Sequence, residues 1–303
     1  MANFGHELHY FSRWDLDPEM QLRASSDQFW RALCPDLTIS ADPFGTAGAA
    51  FEFPETVVER AVASVRTDGY LKTGPALEPA DAQALASAVR RVIDAGFHPL
   101  FASVYDEYWK PLARLGNLLT PVFEAPPRLL GDYWLWCVSV DQAPAGWSPH
   151  RDHEVENTIH ADGRPSLLTV WIPFTDATPE NGCIYAVPRS REQLALQSGN
   201  PTGLALQDVL AIPARAGSIV AWNQDILHWG GRCTSYADGP RISTGIYFQS
   251  SDVADYRRGV AFDAPLPFAS RLELIAAAFW RYHSVFEFPS PLVRFVERHA
   301  EGA

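Results

Sequence analysis

The most constraining feature of the sequence is a series of short β-type segments between residues 132 and 248, with helical patterns on either side. Each segment is rich in β-branched and aromatic residues and ends in turn-forming residues, which is typical of antiparallel strands. The segments lie at 132–140, 166–174, 183–188, 218–222 and 242–248. They predict a mainly β fold, a jelly-roll or cupin-like barrel framed by N- and C-terminal helices. An Asn181-Gly182 pair before the third segment favours a tight hairpin there.

Helical periodicity occupies the flanks of this region. Apolar residues recur at helical spacing from Pro54 and again from Glu78. Residues 101–119 predict a third helix that is stopped by Pro121. After the β-rich region, residues 271–298 predict a helical tail.

The domain organisation follows from the same pattern. Residues 1–50 show weak periodicity and are predicted to form an N-terminal extension. No linker-like stretch interrupts the rest of the chain, so residues 51–303 are predicted to form a single domain.

Composition excludes several classes of partner. The 303 residues include 24 Lys and Arg against 36 Asp and Glu, a formal net charge of −12. A uniformly acidic chain repels phosphate backbones, so no nucleic-acid partner is expected. No apolar run approaches the roughly 20 residues that span a bilayer, so no membrane partner is expected either. The first residues lack the pattern of a secretory signal, and we expect a cytoplasmic protein.

Two of the histidines, together with an aspartate, indicate a metal-binding site. His150 and Asp152 form a His-x-Asp motif just beyond the first strand, and side chains two residues apart on a strand point the same way. His228, which follows the strand at 218–222, supplies a second imidazole. Two imidazoles and one carboxylate leave three adjacent coordination positions open, which suits Fe(II) that must bind a cosubstrate and O₂.

A second His-x-Asp motif, His160-Ala-Asp162, competes for this role. Its aspartate is followed by Gly163, so the pair predicts a turn that leads into the next strand. A side chain in that turn is poorly placed to share a metal ion with a strand residue. The first motif is therefore the predicted ligand pair, and His160 is predicted to be a loop residue.

Arg241 and Ser243 begin a strand of their own, thirteen residues after His228. An arginine presents a planar fork that binds a carboxylate through two hydrogen bonds, and a serine two residues on shares its strand face. The pair is a suitable receptor for the distal carboxylate of a 2-oxo dicarboxylic acid that chelates iron.

In their order and spacing, these motifs resemble the phytanoyl-CoA dioxygenase family. The resemblance covers roughly residues 57–250, and segment 147–190 looks most like the ectoine hydroxylase branch. The motifs that carry it are His150-x-Asp152, Pro179-Glu-Asn-Gly-Cys183, Val187-Pro-Arg-Ser190, Ala216-Gly-Ser-Ile-Val, His228 and Arg241-x-Ser243.

The resemblance implies a double-stranded β-helix and an Fe(II)- and 2-oxoglutarate-dependent dioxygenase, with O₂ as the third reactant. It implies that 2-oxoglutarate is held by Arg241, with weaker candidates for cosubstrate contacts in Ser243, Thr169 and Trp171. The implied iron ligands are His150, Asp152 and His228.

The implied reaction is hydroxylation of an unactivated C–H bond, with release of succinate and CO₂. Asp152 is present, whereas the family's halogenating relatives lack this carboxylate. A free small molecule is the expected substrate, for example an amino acid or an intermediate of secondary metabolism. A coenzyme A ester would need a cluster of basic residues, which the sequence lacks.

Two other functions remain open at this stage. A metal-dependent hydrolase or lyase could use the same three ligands, since His and Asp also bind Zn(II), but it would have no use for Arg241 and Ser243. A non-catalytic binding protein on the same fold is the second alternative, and the complete ligand set argues against it. The oligomeric state cannot be read from the sequence.

Several further residues lie close to the predicted ligands in the sequence. Trp147 and Trp229 are candidates for shielding the reaction centre, or are plain core residues. His153, Glu154 and Glu156 are predicted to belong to a loop over the site.

Overall fold

The computed structural model describes residues 16–141, 148–152, 158–197, 205–282 and 290–300 of the chain. Within these ranges, nine strands form two antiparallel sheets. The strands are β1 (Tyr70–Pro75), β2 (Pro127–Val138), β3 (Leu167–Pro173), β4 (Ile184–Val187), β5 (Leu210–Ile212), β6 (Ser218–Asn223), β7 (Leu227–Gly230), β8 (Arg241–Ser250) and β9 (Gly259–Val260). The large sheet has the order β1-β6-β3-β8-β2-β9, and the small sheet has the order β5-β4-β7.

Nine α-helices in the same ranges flank the sheets, together with short 3-10 segments at Pro99–Val104 and Leu206–Asp208. The helices are α1 (Pro18–Ala24), α2 (Asp27–Leu33), α3 (Glu55–Asp68), α4 (Pro79–Asp94), α5 (Asp106–Ala113), α6 (Gly116–Phe123), α7 (Arg189–Gln197), α8 (Phe268–Tyr282) and α9 (Ser290–Ala300).

The large sheet is covered on both faces, which explains why β3 and β6 are buried along their whole length. Alternate side chains of a strand point to opposite faces. On β3, Leu168 and Val170 join the main apolar core, which includes residues of the helices. Trp171 points the other way and packs with Ile184 and Ile212 of the small sheet. The face of the large sheet that carries Trp171 is called the inner face below.

The chain winds between the two sheets in the manner of a double-stranded β-helix. It runs from β3 in the large sheet to β4 and β5 in the small sheet, returns to β6, crosses to β7 and returns again to β8. In the described residues the sheets face each other without closing into a barrel. The predicted fold class, a double-stranded β-helix framed by helices, is confirmed.

The hairpin predicted at Asn181-Gly182 is wrong. The strand that follows, β4, pairs with β5 and β7 rather than with β3. The Asn181 side chain instead closes a loop, because its amide donates to the Asp176 carbonyl and its oxygen accepts from the Thr178 backbone. Gly182 has a φ of 86°, and a Cβ there would lie 2.3 Å from the Gly231 oxygen. Loop closure and close backbone approach account for this turn sequence.

The predicted third helix is also divided. Residues 101–119 fall into the end of a 3-10 segment, helix α5 and the start of helix α6, which continues to Phe123. Pro111 lies inside α5 and Pro121 inside α6. Each proline lacks the N–H that continues the helical hydrogen bonds, so one long regular helix does not form.

The described part of the N-terminal region packs on the helical layer. Trp30 of α2 is fully buried and stacks on Phe101. Its indole N–H donates to the Ala24 carbonyl, and the Tyr105 hydroxyl donates to the Trp30 carbonyl. The division into residues 1–50 and 51–303 stays a prediction. None of the described helices combines the length and apolar character that a membrane span requires.

Candidate metal centre

The two histidines of the candidate centre are held side by side by their backbones. His150 and His228 form an isolated antiparallel bridge, in which each amide donates to the other residue's carbonyl at 3.0 Å. Their rings are 4.3 Å apart between centroids. Asp152 is tied to the same region, because its amide donates to the Gln224 carbonyl at 3.1 Å. His228 is thereby brought next to His150 and Asp152, which lie 78 and 76 positions before it in the chain.

The three side chains present their ligand atoms to a common space. His150 Nε2 lies 3.3 Å from Asp152 Oδ1, and His228 Nε2 lies 3.7 Å from Asp152 Oδ2. One ligand atom from each residue lies within 4.8 Å of the other two. In the described part of the chain, no other set of three His, Cys, Asp or Glu side chains meets this condition.

Hydrogen bonds to backbone carbonyl groups orient the two imidazole rings. The Nδ1 atom of His150 is 2.7 Å from the Ser148 carbonyl, and that of His228 is 3.1 Å from the Ile226 carbonyl. A carbonyl oxygen only accepts, so each Nδ1 carries a hydrogen, and in the neutral form of each ring the Nε2 atom carries the lone pair. This arrangement is usual for histidines that ligate a metal ion through Nε2.

The charges of the site also suit a cation. Burial raises the pKa of Asp152, but His228, His150 and the Thr169 hydroxyl outweigh it and hold that pKa well below its usual range. Burial lowers the pKa of His228, against the attraction of Asp152. An ionised carboxylate and neutral imidazoles are the states that a divalent metal ion requires. The residues present therefore fit a metal ion of the Fe(II) type.

The competing motif lies in a turn. The His160 amide donates to the Arg164 carbonyl, and Asp162 Oδ1 accepts from the Arg164 amide at 3.0 Å. Gly163 has a φ of 84°, as a tight turn requires. His160 Nε2 faces Asp252, at 3.9 Å from its Oδ1, rather than the candidate centre.

Arg241 and Ser243 lie on the inner face of the large sheet. The guanidinium of Arg241 is 2% exposed and lies 5.9 Å from the ring centre of Trp171, which packs against the small sheet. Ser243 is fully buried, and its Oγ has no hydrogen-bond partner among the described residues. A buried positive charge and an unsatisfied hydroxyl on one face form a polar lining that fits a dicarboxylate.

Thr169 faces the same space but has a different partner from the one expected. Its hydroxyl donates to Asp152 Oδ2 at 2.8 Å. The hydroxyl hydrogen is therefore engaged with the carboxylate, and a contact between Thr169 and 2-oxoglutarate stays a prediction. Trp171 is placed by its contact with Arg241, and its contact with a cosubstrate likewise stays a prediction.

Sequence reasoning missed Trp222 and Gln224. The indole N–H of Trp222 donates to Asp152 Oδ2 at 3.0 Å, and the Gln224 amide donates to Thr169 Oγ1 at 3.2 Å. Trp222 lies near the end of a strand, two residues before Gln224. The sequence could therefore have predicted that the two side chains point to the same face. Their hydrogen-bonded connection to Asp152 could not be predicted from the sequence, because it depends on how distant strands pair.

Trp229, which the sequence offered as a shield for the reaction centre, does not face the candidate centre. Trp229 lies on the face of the small sheet opposite His228, where it stacks on Tyr185 with centroids 5.8 Å apart. It does not shield the site from there. Trp147, His153, Glu154 and Glu156 lie outside the described residues.

Comparison with known families places the candidate centre inside a matched segment. The sequence model of the phytanoyl-CoA dioxygenase (PhyH) family matches residues 97–242. This segment contains His150, Asp152, His228 and Arg241. A comparison with curated proteins found no significant match.

The chain is also similar to solved structures at low sequence identity. The non-heme alpha ketoglutarate dependent epimerase SnoN from nogalamycin biosynthesis has 21% sequence identity, covers 70% of this chain and 96% of its own, and gives a TM-score of 0.48. AviO1 from Streptomyces viridochromogenes Tue57 has 20% identity, 67% and 99% coverage and a TM-score of 0.48. HygX from Streptomyces hygroscopicus, with nickel and 2-oxoglutarate bound, has 16% identity, 68% and 90% coverage and a TM-score of 0.47.

Proposed function

We propose that this chain is an Fe(II)- and 2-oxoglutarate-dependent dioxygenase of the phytanoyl-CoA dioxygenase family that hydroxylates an unactivated C–H bond of a small molecule. The observation that carries the proposal is the convergence of His150, Asp152 and His228, whose ligand atoms lie within 4.8 Å of one another, with both imidazole Nδ1 atoms turned to backbone carbonyls. The family match to residues 97–242 supports it.

Each residue has a distinct part in this proposal. His150, Asp152 and His228 hold the metal ion by three ligands and leave adjacent positions open. Bound Fe(II), together with 2-oxoglutarate and O₂, supplies the oxidising chemistry, with succinate and CO₂ as products. The protein contributes ligands, orientation and exclusion of side reactions.

Arg241 and Ser243 are the proposed receptor for the distal carboxylate of 2-oxoglutarate. The buried guanidinium offers a planar fork in an environment of low dielectric, where a charge-assisted hydrogen bond is strong. The Ser243 hydroxyl has a hydrogen to donate on the same face. A metal-dependent hydrolase would have no use for this pair, and the complete set of ligand and anchor residues argues against a non-catalytic binding protein.

The substrate proposal is a free small molecule, such as an amino acid or a secondary-metabolite intermediate, because an acidic chain of net charge −12 is a poor receptor for the phosphates of a coenzyme A ester. Placement in the ectoine hydroxylase branch and a cytoplasmic location stay predictions.

An anaerobic titration of the metal-free protein with Fe(II) and 2-oxoglutarate tests the proposal. The iron–2-oxoglutarate chelate has a weak visible charge-transfer band, which we expect in the wild type. We expect no band in His228→Ala, and a much higher 2-oxoglutarate requirement in Arg241→Ala. Asp162→Ala is the matched control and is expected to behave as the wild type.

The other outcomes separate the alternatives. Iron binding without a band at saturating 2-oxoglutarate would reject the oxygenase and favour the metal-dependent hydrolase. Absence of iron binding would favour the non-catalytic protein.

A further inference from the structure

The carboxylate of Asp152 is held by a hydrogen-bonded network that no ligand motif includes. We propose that Trp222 and Thr169, with Gln224 supporting Thr169, are positioning residues that occupy Oδ2 of Asp152 and thereby direct its Oδ1 to the metal ion. The identity of that ion rests on the function proposed above, but the network is a property of the protein without it.

Strand pairing brings the two donors together. Thr169 of β3 and Trp222 of β6 are direct cross-strand partners in the large sheet. Directly opposed residues project from the same face, with their Cβ atoms about 5 Å apart. Both side chains therefore reach one atom, Asp152 Oδ2, at 2.8 Å from the Thr169 hydroxyl and 3.0 Å from the Trp222 indole.

The direction of each hydrogen bond follows from the groups involved. The Trp222 indole can only donate, and the ionised carboxylate can only accept. The Gln224 amide nitrogen donates to Thr169 Oγ1, which leaves the single hydroxyl hydrogen of Thr169 for Asp152. Gln224 also accepts the Asp152 amide through its backbone carbonyl, so it supports the aspartate on both sides.

Trp222 contacts a second candidate ligand as well. Its ring centroid lies 4.7 Å from that of His228, with an interplanar angle of 46°. Trp222 is 5% exposed and His228 is 4% exposed, so this contact is buried. One indole thereby contacts both an imidazole and a carboxylate of the candidate ligand set.

Occupation of Oδ2 distinguishes the two carboxylate oxygens. The Thr169 and Trp222 donors both engage Oδ2, which also lies 3.7 Å from His228 Nε2, whereas Oδ1 accepts from neither donor and lies 3.3 Å from His150 Nε2. Without these donors the carboxylate could rotate and present either oxygen or both. A fixed carboxylate binds a metal ion more tightly, because less conformational freedom is lost on binding, and outer partners of this kind typically contribute about 10- to 100-fold in metal affinity.

The test measures metal affinity by calorimetric titration with Ni(II) alone, in the absence of 2-oxoglutarate. We expect Trp222→Phe, which keeps a ring on His228 but removes the N–H, to weaken binding by at least about 10-fold. Thr169→Val, which keeps the shape but removes the hydroxyl, is expected to do the same. Thr169→Ser keeps the hydroxyl but removes the methyl group, and it is expected to bind Ni(II) within about 2-fold of the wild type. If Thr169 acted through packing alone, Thr169→Val would be the better tolerated of the two variants.

Trp30→Phe is the matched control. It removes another buried indole hydrogen bond, that to the Ala24 carbonyl, on the helical side of the molecule. We expect it to change Ni(II) affinity by no more than about 2-fold. If Trp222→Phe does not fold, the comparison of Thr169→Val with Thr169→Ser decides the question alone.

The outcomes separate this inference from the proposed function. Wild-type affinity in both Trp222→Phe and Thr169→Val overturns the network, whether or not the wild type forms the iron–2-oxoglutarate band. Weakened Ni(II) binding in these variants supports the network, even if the wild type lacks the band and the oxygenase proposal fails. A wild type that binds no metal ion rejects both.

Discussion

The two His-x-Asp motifs of this chain share a pattern but differ in every structural respect. At His150 and Asp152 the backbone pairs with a distant strand, and the Asp152 side chain is 11% exposed. At His160 and Asp162 the chain folds back on itself, and the Asp162 side chain is 55% exposed. The first motif meets His228, whereas the second meets no third ligand among the described residues.

The two motifs differ in which groups donate hydrogen bonds to the aspartate carboxylate. Asp162 accepts the backbone amide of Arg164, a local bond that a turn provides without the rest of the fold. Asp152 accepts from Thr169 and Trp222, which lie 17 and 70 positions away. The Asp162 carboxylate therefore stabilises its own turn. The Asp152 carboxylate is instead held beside His150 and His228 by residues of distant strands.

The largest contrast should appear when the aspartates are exchanged for alanine one at a time. We expect Asp152→Ala to weaken Ni(II) or Fe(II) binding by more than about 100-fold, since loss of a ligand exceeds loss of an outer partner. Asp162→Ala is expected to leave the affinity within about 2-fold of the wild type. Calorimetric titration under anaerobic conditions measures both. Equal losses in the two variants would show that the site is assigned to the wrong motif.

A second experiment separates the metal ligands from the proposed cosubstrate receptor. Arg241→Ala is expected to raise the 2-oxoglutarate concentration needed for half-saturation by about 10- to 100-fold, because hydrogen bonds to charged groups contribute about 1.5–3 kcal/mol. Its affinity for the metal ion alone should match the wild type. The charge-transfer band reports the first quantity and calorimetry the second. Unchanged 2-oxoglutarate binding would remove Arg241 from the site.

A third experiment examines the turn of the second motif. Gly163 has a φ of 84°, and a Cβ there would lie 3.8 Å from the Arg66 carbonyl oxygen, an ordinary contact. Gly163→Ala therefore tests backbone strain alone and is expected to lower the free energy of unfolding by about 1–2 kcal/mol. Denaturant titration measures this, and metal affinity should be unchanged. A parallel loss of metal affinity would mean that this turn supports the centre.

The smallest effect concerns the ion pair beside that turn. Asp252 accepts from the Ser250 hydroxyl and from Arg164, at 2.6 Å in the second case, and both hold the pKa of Asp252 below its usual value. A lowered carboxyl pKa stabilises the fold above the unfolded-state pKa, and the contribution is lost as pH falls through the lowered value.

Asp252→Asn should therefore be less stable than the wild type at pH 7, by about 1 kcal/mol or less, as is usual for exposed pairs. The difference should begin to shrink near the unfolded-state pKa, roughly pH 4, and should disappear only below the lowered pKa of Asp252. Thermal unfolding at several pH values measures it, with metal binding as the control. A difference that persists unchanged in acid would exclude the ion pair as its cause.

Much of the fold could be predicted because strands and helices are encoded locally. The β-branched and aromatic content of residues 166–174 and the helical spacing after Pro54 each depend on a few neighbouring side chains. The turn at Gly163 was readable for the same reason. The long helix at 101–119 was mispredicted because its apolar spacing continues through Pro111, where the backbone hydrogen bonds cannot.

The candidate centre was only partly readable. The sequence by itself determined the ligand types, their order and the presence of two rival motifs, because these are facts of spacing. Only the tertiary structure decided that His150 lies beside His228, that Trp229 faces away and that Trp222 and Thr169 converge on Asp152. Contacts of this kind depend on the register between strands, and register is determined by the packing of the whole sheet rather than by any one segment.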